Sequence, residues 1–272
     1  MNAERFVYAE RNFYGPLELA SANEERRDRY IMLHPDDTTK LVRASNKGTY
    51  LDKKEMNERV SNTQQVIDGL SEHGVSHVNP SYIDGTSEGG EPYLITVVDK
   101  LEYARPYDEI IAHPELSGEQ IKEADLAICH LLSYAAQIIH DGGYIDPEMM
   151  RLSQFAYVAS SPAGERMILV DVEAFGAFEV DPNKDCMENG FPTALVRTVA
   201  ELCIDAINLA KKSEHQLASL QAAIAITKTL PGKSPETNEV KMALLWALEN
   251  NEISSEIVNL ASGGIMGNEN DW

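Results

Sequence analysis

Ile138 to Val158, IIHDGGYIDPEMMRLSQFAYV, is the stretch whose reading decides the fold. It opens on the last turn of a helical pattern, breaks at Gly142-Gly143, and ends in the uncharged run Gln154 to Ala159 (QFAYVA), which has the composition of a buried strand. Upstream, Ser117 and Gln120 form a capping box that opens a helix over 118–140. Ile121, Ala124, Ile128, Leu131, Leu132, Ala135, Ile138 and Ile139 give that helix the wide apolar stripe of a central buried element. Downstream, Ser160 to Gly164 (SSPAG) is a turn and Arg166 to Val172 (RMILVDV) a returning strand. A long helix followed by a β-hairpin argues against an all-helical domain.

Farther upstream the chain reads as strands around one helix. Arg29 to His34 (RYIMLH), a Pro35-Asp36-Asp37 turn and Lys40 to Ala44 (KLVRA) form a hairpin. Asp52 to His73 carries Met56, Val60, Val66, Ile67 and Leu70 at helical spacing, with Gly74 as its stop. Val75 to Ile83 is extended, Asp84 to Pro92 (DGTSEGGEP) a flexible turn, and Tyr93 to Val98 (YLITVV) a buried strand. Beyond the second hairpin, helices are expected over roughly 192–211, 214–229, 235–250 and 252–261. The class is therefore α+β, with the junction near residues 99–105.

Composition narrows the function. The 272 residues carry 23 Lys plus Arg against 44 Asp plus Glu, a formal net charge of −21. Such a field repels nucleic-acid phosphates and anionic membranes, so neither is an expected partner. Cys129, Cys186 and Cys203 are odd in number and form no C-x-x-C pair, which argues against a disulfide framework or a zinc site. The polar start, MNAERFVYAERNFYG, has no signal-like apolar core, and no apolar run is long enough to span a bilayer. A cytoplasmic location is expected.

The order of elements resembles the protein kinase-like fold, including its aminoglycoside- and lipid A-type small-molecule kinase relatives. The resemblance covers about residues 29–210 and rests on element order more than on motifs. It implies a two-lobed molecule: a small antiparallel β-rich N-lobe over 1–103 and a larger, mainly helical C-lobe over 104–272, with a β-hairpin near 154–172. The implied ligands are ATP and Mg²⁺. RYIMLHPDDTTKLVRAS is similar to the second and third N-lobe strands, where the family places a phosphate-holding cation. Arg43 stands there, with Lys40 as the alternative, and a guanidinium is competent to chelate phosphate. YLITVVDKLEYA resembles the strand that runs into the hinge, so Asp99, Lys100 and Leu101 would meet adenine.

In IIHDGGYIDPEMMRLSQFAYV, Gln154 stands where the family's metal-binding Asn would be. Five residues before it is Met149, which lacks the carboxylate of the family's catalytic Asp; Glu148 and Asp146 are the substitutes. RMILVDVEAFG resembles the strand that carries the metal-binding Asp, which would be Asp171, although Glu173 replaces the usual Gly. The helix position of the family's cation-orienting Glu falls on Thr63 or Gln64, with Glu58 and Glu55 more than a turn earlier. Residues 13–29 offer Gly15 alone where the family has a glycine-rich loop.

The leading expectation is thus a nucleotide- and Mg²⁺-binding phosphotransferase acting on a hydroxyl of a protein or small molecule. The alternative is a pseudokinase, the same fold used as a binding or regulatory module with a protein partner. A third reading, an HD-type phosphohydrolase, rests on His140-Asp141 with His113 and Asp205 as further ligands. Asp181 to Gly190 spaces acids like a calcium loop, but Cys186 and Pro192 stand where Gly and Glu are required.

Overall fold

The computed structural model describes residues 4–8, 11–15, 29–34, 37–46, 53–87, 92–107, 110, 116–172, 176–182, 193–213, 217–229 and 235–250. The chain divides into two units, one of residues 1–61 and 78–102, the other of residues 62–77 and 103–272.

The first unit is built on a six-stranded antiparallel sheet. Its strands are β1 (Glu4–Tyr8), β2 (Arg11–Gly15), β3 (Arg29–Leu33), β4 (Lys40–Asn46), β6 (Ser81–Ser87) and β7 (Pro92–Asp99), in the order β2-β1-β6-β7-β4-β3. The expected hairpin forms, with Ile31 opposite Arg43 and Leu33 opposite Leu41. β4 in turn pairs with β7, placing Arg43 opposite Thr96 and Lys40 opposite Asp99. Val42, Ile95 and Val98 are buried on this sheet.

The first part of the expected turn over Asp84 to Pro92 is corrected: Asp84 to Ser87 belong to β6, between β1 and β7, while residues 88–91 lie outside the described residues. Asp, Gly and Ser are poor strand formers. Here a neighbour on each side supplies ladder partners for their backbone groups, and that outweighs propensity. β1 and β2 lie in the polar N-terminal stretch where no strand was expected.

Helix α1 (Lys53–Glu72) follows β4. Gly74 ends it in the left-handed region at φ 83°, and the Val75 amide reaches back to the Leu70 carbonyl at 3.0 Å. A residue with a side chain would be strained at that φ, so the helix stops here.

The second unit is mainly helical. Helix α2 (Gly118–Asp141) opens with the expected capping box: the Gln120 amide donates to the Ser117 hydroxyl and the Ser117 amide to the Gln120 side chain. It packs against α3 (Thr193–Lys211) and α4 (Ala218–Thr227), and α3 packs against α5 (Pro235–Glu249). Ile128, Leu131 and Ala135 of α2, Val199 and Ala206 of α3, Leu220 and Ile224 of α4, and Val240 of α5 are all buried. Each large aliphatic chain buried in this way contributes about 1.5–3 kcal/mol.

Asp125 ties two of these helices together, accepting the amides of Ala218 at 3.2 Å and Ser219 at 2.8 Å. It satisfies two of the otherwise unpaired donors at the start of α4. The expected helix over 252–261 lies outside the described residues, as do residues 214–216 of the helix expected over 214–229.

The second hairpin is shorter than the sequence implies: β10 (Phe155–Tyr157) and β11 (Met167–Leu169), with Phe155 opposite Leu169. It extends into a four-stranded sheet with β5 (Ser76–His77), parallel to β11, and β8 (Arg105–Pro106), antiparallel to β10. A third sheet pairs β9 (Gly143–Ile145) with β12 (Phe178–Val180). Glu123, a nearly buried carboxylate in the middle of α2, holds the hairpin turn by accepting the amides of Gly164 at 2.7 Å and Arg166 at 3.0 Å.

The fold is α+β, with its elements in the order expected from the kinase-like resemblance. Among the described residues, no helix is long and apolar enough to cross a membrane.

Candidate functional site

Four expected residues of the second unit, Asp146, Glu148, Gln154 and Asp171, lie on the loop after β9 and beside the ends of the second hairpin's strands. β9 ends at Ile145 and the chain turns at Asp146, whose side chain is fully buried. One Asp146 oxygen accepts the Glu148 amide at 2.9 Å and the other the Gly176 amide at 3.0 Å, and the Met149 amide bonds to it as well. Burial raises the acid to about 6, against the opposing pull of these three amides. Met149 and Met150, both without exposed surface, seat the next turn in the core. Glu148 between them and Asp146 points to solvent.

A short 3-10 turn, Leu152–Gln154, leads into β10. The Gln154 carbonyl accepts the Val170 amide at 2.9 Å, extending the hairpin ladder by one rung. Asp171 is the next residue after Val170, so Gln154 and Asp171 stand at the same end of the hairpin. Both are half-buried. An amide oxygen and a carboxylate are the hard donors that Mg²⁺ takes, and this ion commonly uses one or two carboxylates and leaves its other positions to water and phosphate. In donor type the two residues suit a Mg²⁺ ion.

In the first unit, Lys40 and Asp99 are paired with each other: the ammonium donates to the carboxylate across the β4–β7 ladder. This bond raises the Lys40 pKa. Arg43 lies half-buried on the same strand, and Leu101 half-buried just past β7. Thr63 is fully buried in α1, while Gln64 is exposed and donates to Asp68 at 2.8 Å. The nearby acids of α1 engage cations of their own helix, Glu55 with Arg59 at 2.7 Å and Glu58 with Lys54 at 3.6 Å. Glu173, residues 16–28 between Gly15 and Arg29, and residues 183–190 of the calcium-like loop lie outside the described residues.

The hydrolase reading is not supported by this geometry. Helix α2 is followed by antiparallel strands, whereas an HD-type site needs helices throughout. His140 is exposed and bonds to Asp141 beside it at 2.5 Å. Asp205 lies on α3, and His113 is outside the described residues. Among the described residues no group of three or more His, Cys, Asp or Glu is placed to hold a metal ion.

The anchoring roles of Glu123 and the buried Asp146 escape a reading by motif. Glu123 left a signal: a charge on the inward face of an otherwise apolar stripe. Asp146 left none beyond its place in the loop, because the amide of Gly176 lies far along the chain.

No protein-family model matches the sequence, and no curated protein matches it. Solved structures do align with most of the chain. One is WaaP in complex with acyl carrier protein, at 14% identity and a TM-score of 0.44, covering 84% of this chain and 85% of that one. Another is the complex of Neurospora crassa PAN2 (WD40-CS1) with PAN3 (pseudokinase and C-term), at 11% identity and a TM-score of 0.42, covering 86% of this chain and 58% of that one.

Proposed function

We propose that this chain is a kinase-like protein that binds ATP with Mg²⁺ and transfers the γ-phosphoryl group to a hydroxyl acceptor. The observation that supports the reading is the backbone bond from the Val170 amide to the Gln154 carbonyl, which brings the Gln154 and Asp171 positions to one end of the hairpin. In this reading Gln154 and Asp171 hold Mg²⁺, whose chemistry is to neutralise charge on the transferred phosphate. Arg43 holds phosphate; Lys40, engaged with Asp99, is the weaker candidate. The backbone at Asp99 and Leu101 meets the adenine, and the lobes divide at residues 103 and 104.

Of the two loop carboxylates, Glu148 is the better base. It is exposed, and its amide is fixed by Asp146. Asp146 is the positioning residue, both its oxygens being engaged by backbone. The acceptor oxygen bonds to the γ-phosphorus as the bond to the bridging oxygen breaks. The hydroxyl proton passes to Glu148 and ADP leaves.

A second reading, the pseudokinase, is favoured by the two positions that the resemblance offers for the cation-orienting Glu: Thr63 is buried and Gln64 is exposed and bonded to Asp68. Loss of that pairing removes part of the positioning on which phosphoryl transfer depends. The fold would then serve nucleotide or partner binding without turnover.

Thermal unfolding of the wild type and Asp171→Ala, with and without Mg-ATP, tests the first reading. A ligand bound only by the folded state at about 100 times its Kd adds about 2.7 kcal/mol of stability. The expected result is a raised midpoint in the wild type and none in the variant. An unshifted wild type at saturating Mg-ATP, melting cooperatively, overturns it.

A further inference from the structure

Among the described residues, four large apolar side chains are exposed, and three of them share one face of α5. Met242, Leu245 and Trp246 are 64%, 39% and 52% exposed, and their spacing of three and four residues makes them one stripe. Val240, Leu244 and Ala247 are buried on the side that faces the core. Helix α5 is therefore apolar on two sides, and a helix of that kind calls for a second covering element.

Positive charge borders the exposed stripe. The Lys211 ammonium lies over the Trp246 ring, 4.7 Å from its centroid, and Lys241 stands one helical turn before Leu245. The helix stops just beyond: the Asn250 backbone amide and its side-chain amide both donate to the Trp246 carbonyl, at 3.1 and 2.8 Å.

Residues 251–272 follow and lie outside the described residues. They hold Glu252, Glu256, Glu269 and Asp271 and neither Lys nor Arg. Ile253, Ile257 and Leu260 recur at spacings of four and three, so as a helix they form one apolar stripe with Glu256 on its flank. A reversal over residues 250–252 has the length that joins antiparallel helices, about 2–5 residues. It sets Ile257 opposite Leu245, Leu260 opposite Met242, and Glu256 opposite Trp246 and its Lys211. Glu249, beyond the stripe, then meets the apolar Ile253.

A second copy of the chain fits this face less well. Two chains of net charge −21 repel each other, and three side chains fall short of the roughly 20–30 residues a side of a stable interface. An attached segment, by contrast, meets α5 at an effective concentration in the millimolar range.

We propose that residues 253–260 fold back as an antiparallel helix and close the face of α5 formed by Met242, Leu245 and Trp246. The occupant of this surface is the chain's own acidic C-terminal segment. The proposal stands whether or not the chain transfers phosphate.

The test uses the full chain carrying Trp272→Phe, which leaves Trp246 as its one tryptophan. Acrylamide quenching of Trp246 is measured at low and high protein concentration, with the mass from sedimentation. The same chain is then measured with Ile257→Asp, Leu260→Asp or Ser255→Asp added. The expected result is a monomer whose Trp246 is shielded at both concentrations. Shielding should be lost with Ile257→Asp and with Leu260→Asp, and kept with Ser255→Asp, which lies on the opposite face of the segment. Hydrogen exchange on the unsubstituted chain gives a second reading. So short a segment is not a stable helix by itself in water, so slowed exchange at residues 256–260 reports its packing. An open Trp246 in the monomer, shielding unchanged by both apolar-to-Asp substitutions, or unslowed exchange at 256–260 overturns the proposal. Shielding that appears only with the mass of a dimer also overturns it, in favour of a second copy.

Discussion

The Asp146 carboxylate accepts the amide of Gly176, thirty residues farther along the chain, at 3.0 Å. Through its bonds to Glu148 and Met149 the same carboxylate shapes the preceding loop. One buried side chain therefore joins the segment bearing Glu148 to the segment that follows Asp171.

This linkage has a pH signature. Asp146 titrates near 6 in the folded protein and near 3.9 when unfolded. The folded state therefore keeps its proton where the unfolded state has lost it, and Asp146 lowers stability as pH rises from about 4 to about 6. Between pH 5 and pH 7.5 the expected loss from this group is about 1.4 kcal/mol. Urea unfolding of wild type and Asp146→Asn at both pH values measures it: the wild-type minus variant difference should shrink by that amount. A difference independent of pH contradicts the assignment.

Gly69 lies under the ring of Tyr134, and a Cβ built there would sit 2.6 Å from Tyr134 Cε2. The ring has little room to retreat: Tyr134 is buried, its hydroxyl donates to the Tyr144 carbonyl, and His73 packs on it at 5.5 Å between centroids. Gly69→Ala should therefore destabilise by about 1–3 kcal/mol, although helix propensity alone predicts a gain of about 1 kcal/mol. Denaturant melts decide the sign.

Glu123 satisfies two amides at the hairpin turn. Glu123→Ala leaves both without their acceptor and should cost about 2–4 kcal/mol. Hydrogen exchange at Gly164 and Arg166 should accelerate above that of the α2 core. Unchanged protection there would show that the turn is held by other contacts.

Gln154→Ala separates metal binding from folding. The backbone carbonyl of residue 154 still accepts the Val170 amide, so the hairpin and the melting midpoint without ligand should persist. The midpoint rise caused by Mg-ATP should fall, whereas any rise caused by ATP with EDTA should be equal in variant and wild type. Equal responses to Mg-ATP in both proteins would remove Gln154 from the metal site.

The local pattern of the chain was enough to determine its long elements. Ser117, Gln120 and the apolar stripe of α2 are within a few residues of one another, as are the two strands on either side of SSPAG. Propensity, capping and periodicity all act at that range. The order of these elements and the place of Gln154 just before its strand were legible for the same reason.

Tertiary structure decided what depends on partners distant in sequence. β6 forms through a Gly- and Ser-containing stretch because β1 and β7 flank it, and the three-residue strands β9 and β12 exist only as each other's complement. Lys40 and Asp99 are engaged with each other because of strand register. Asp146 is an interior acceptor and Glu148 a surface acid although they stand two positions apart. Which carboxylate is buried is set by the backbone amides that fold around it, and a buried carboxylate is tolerated only where such donors converge.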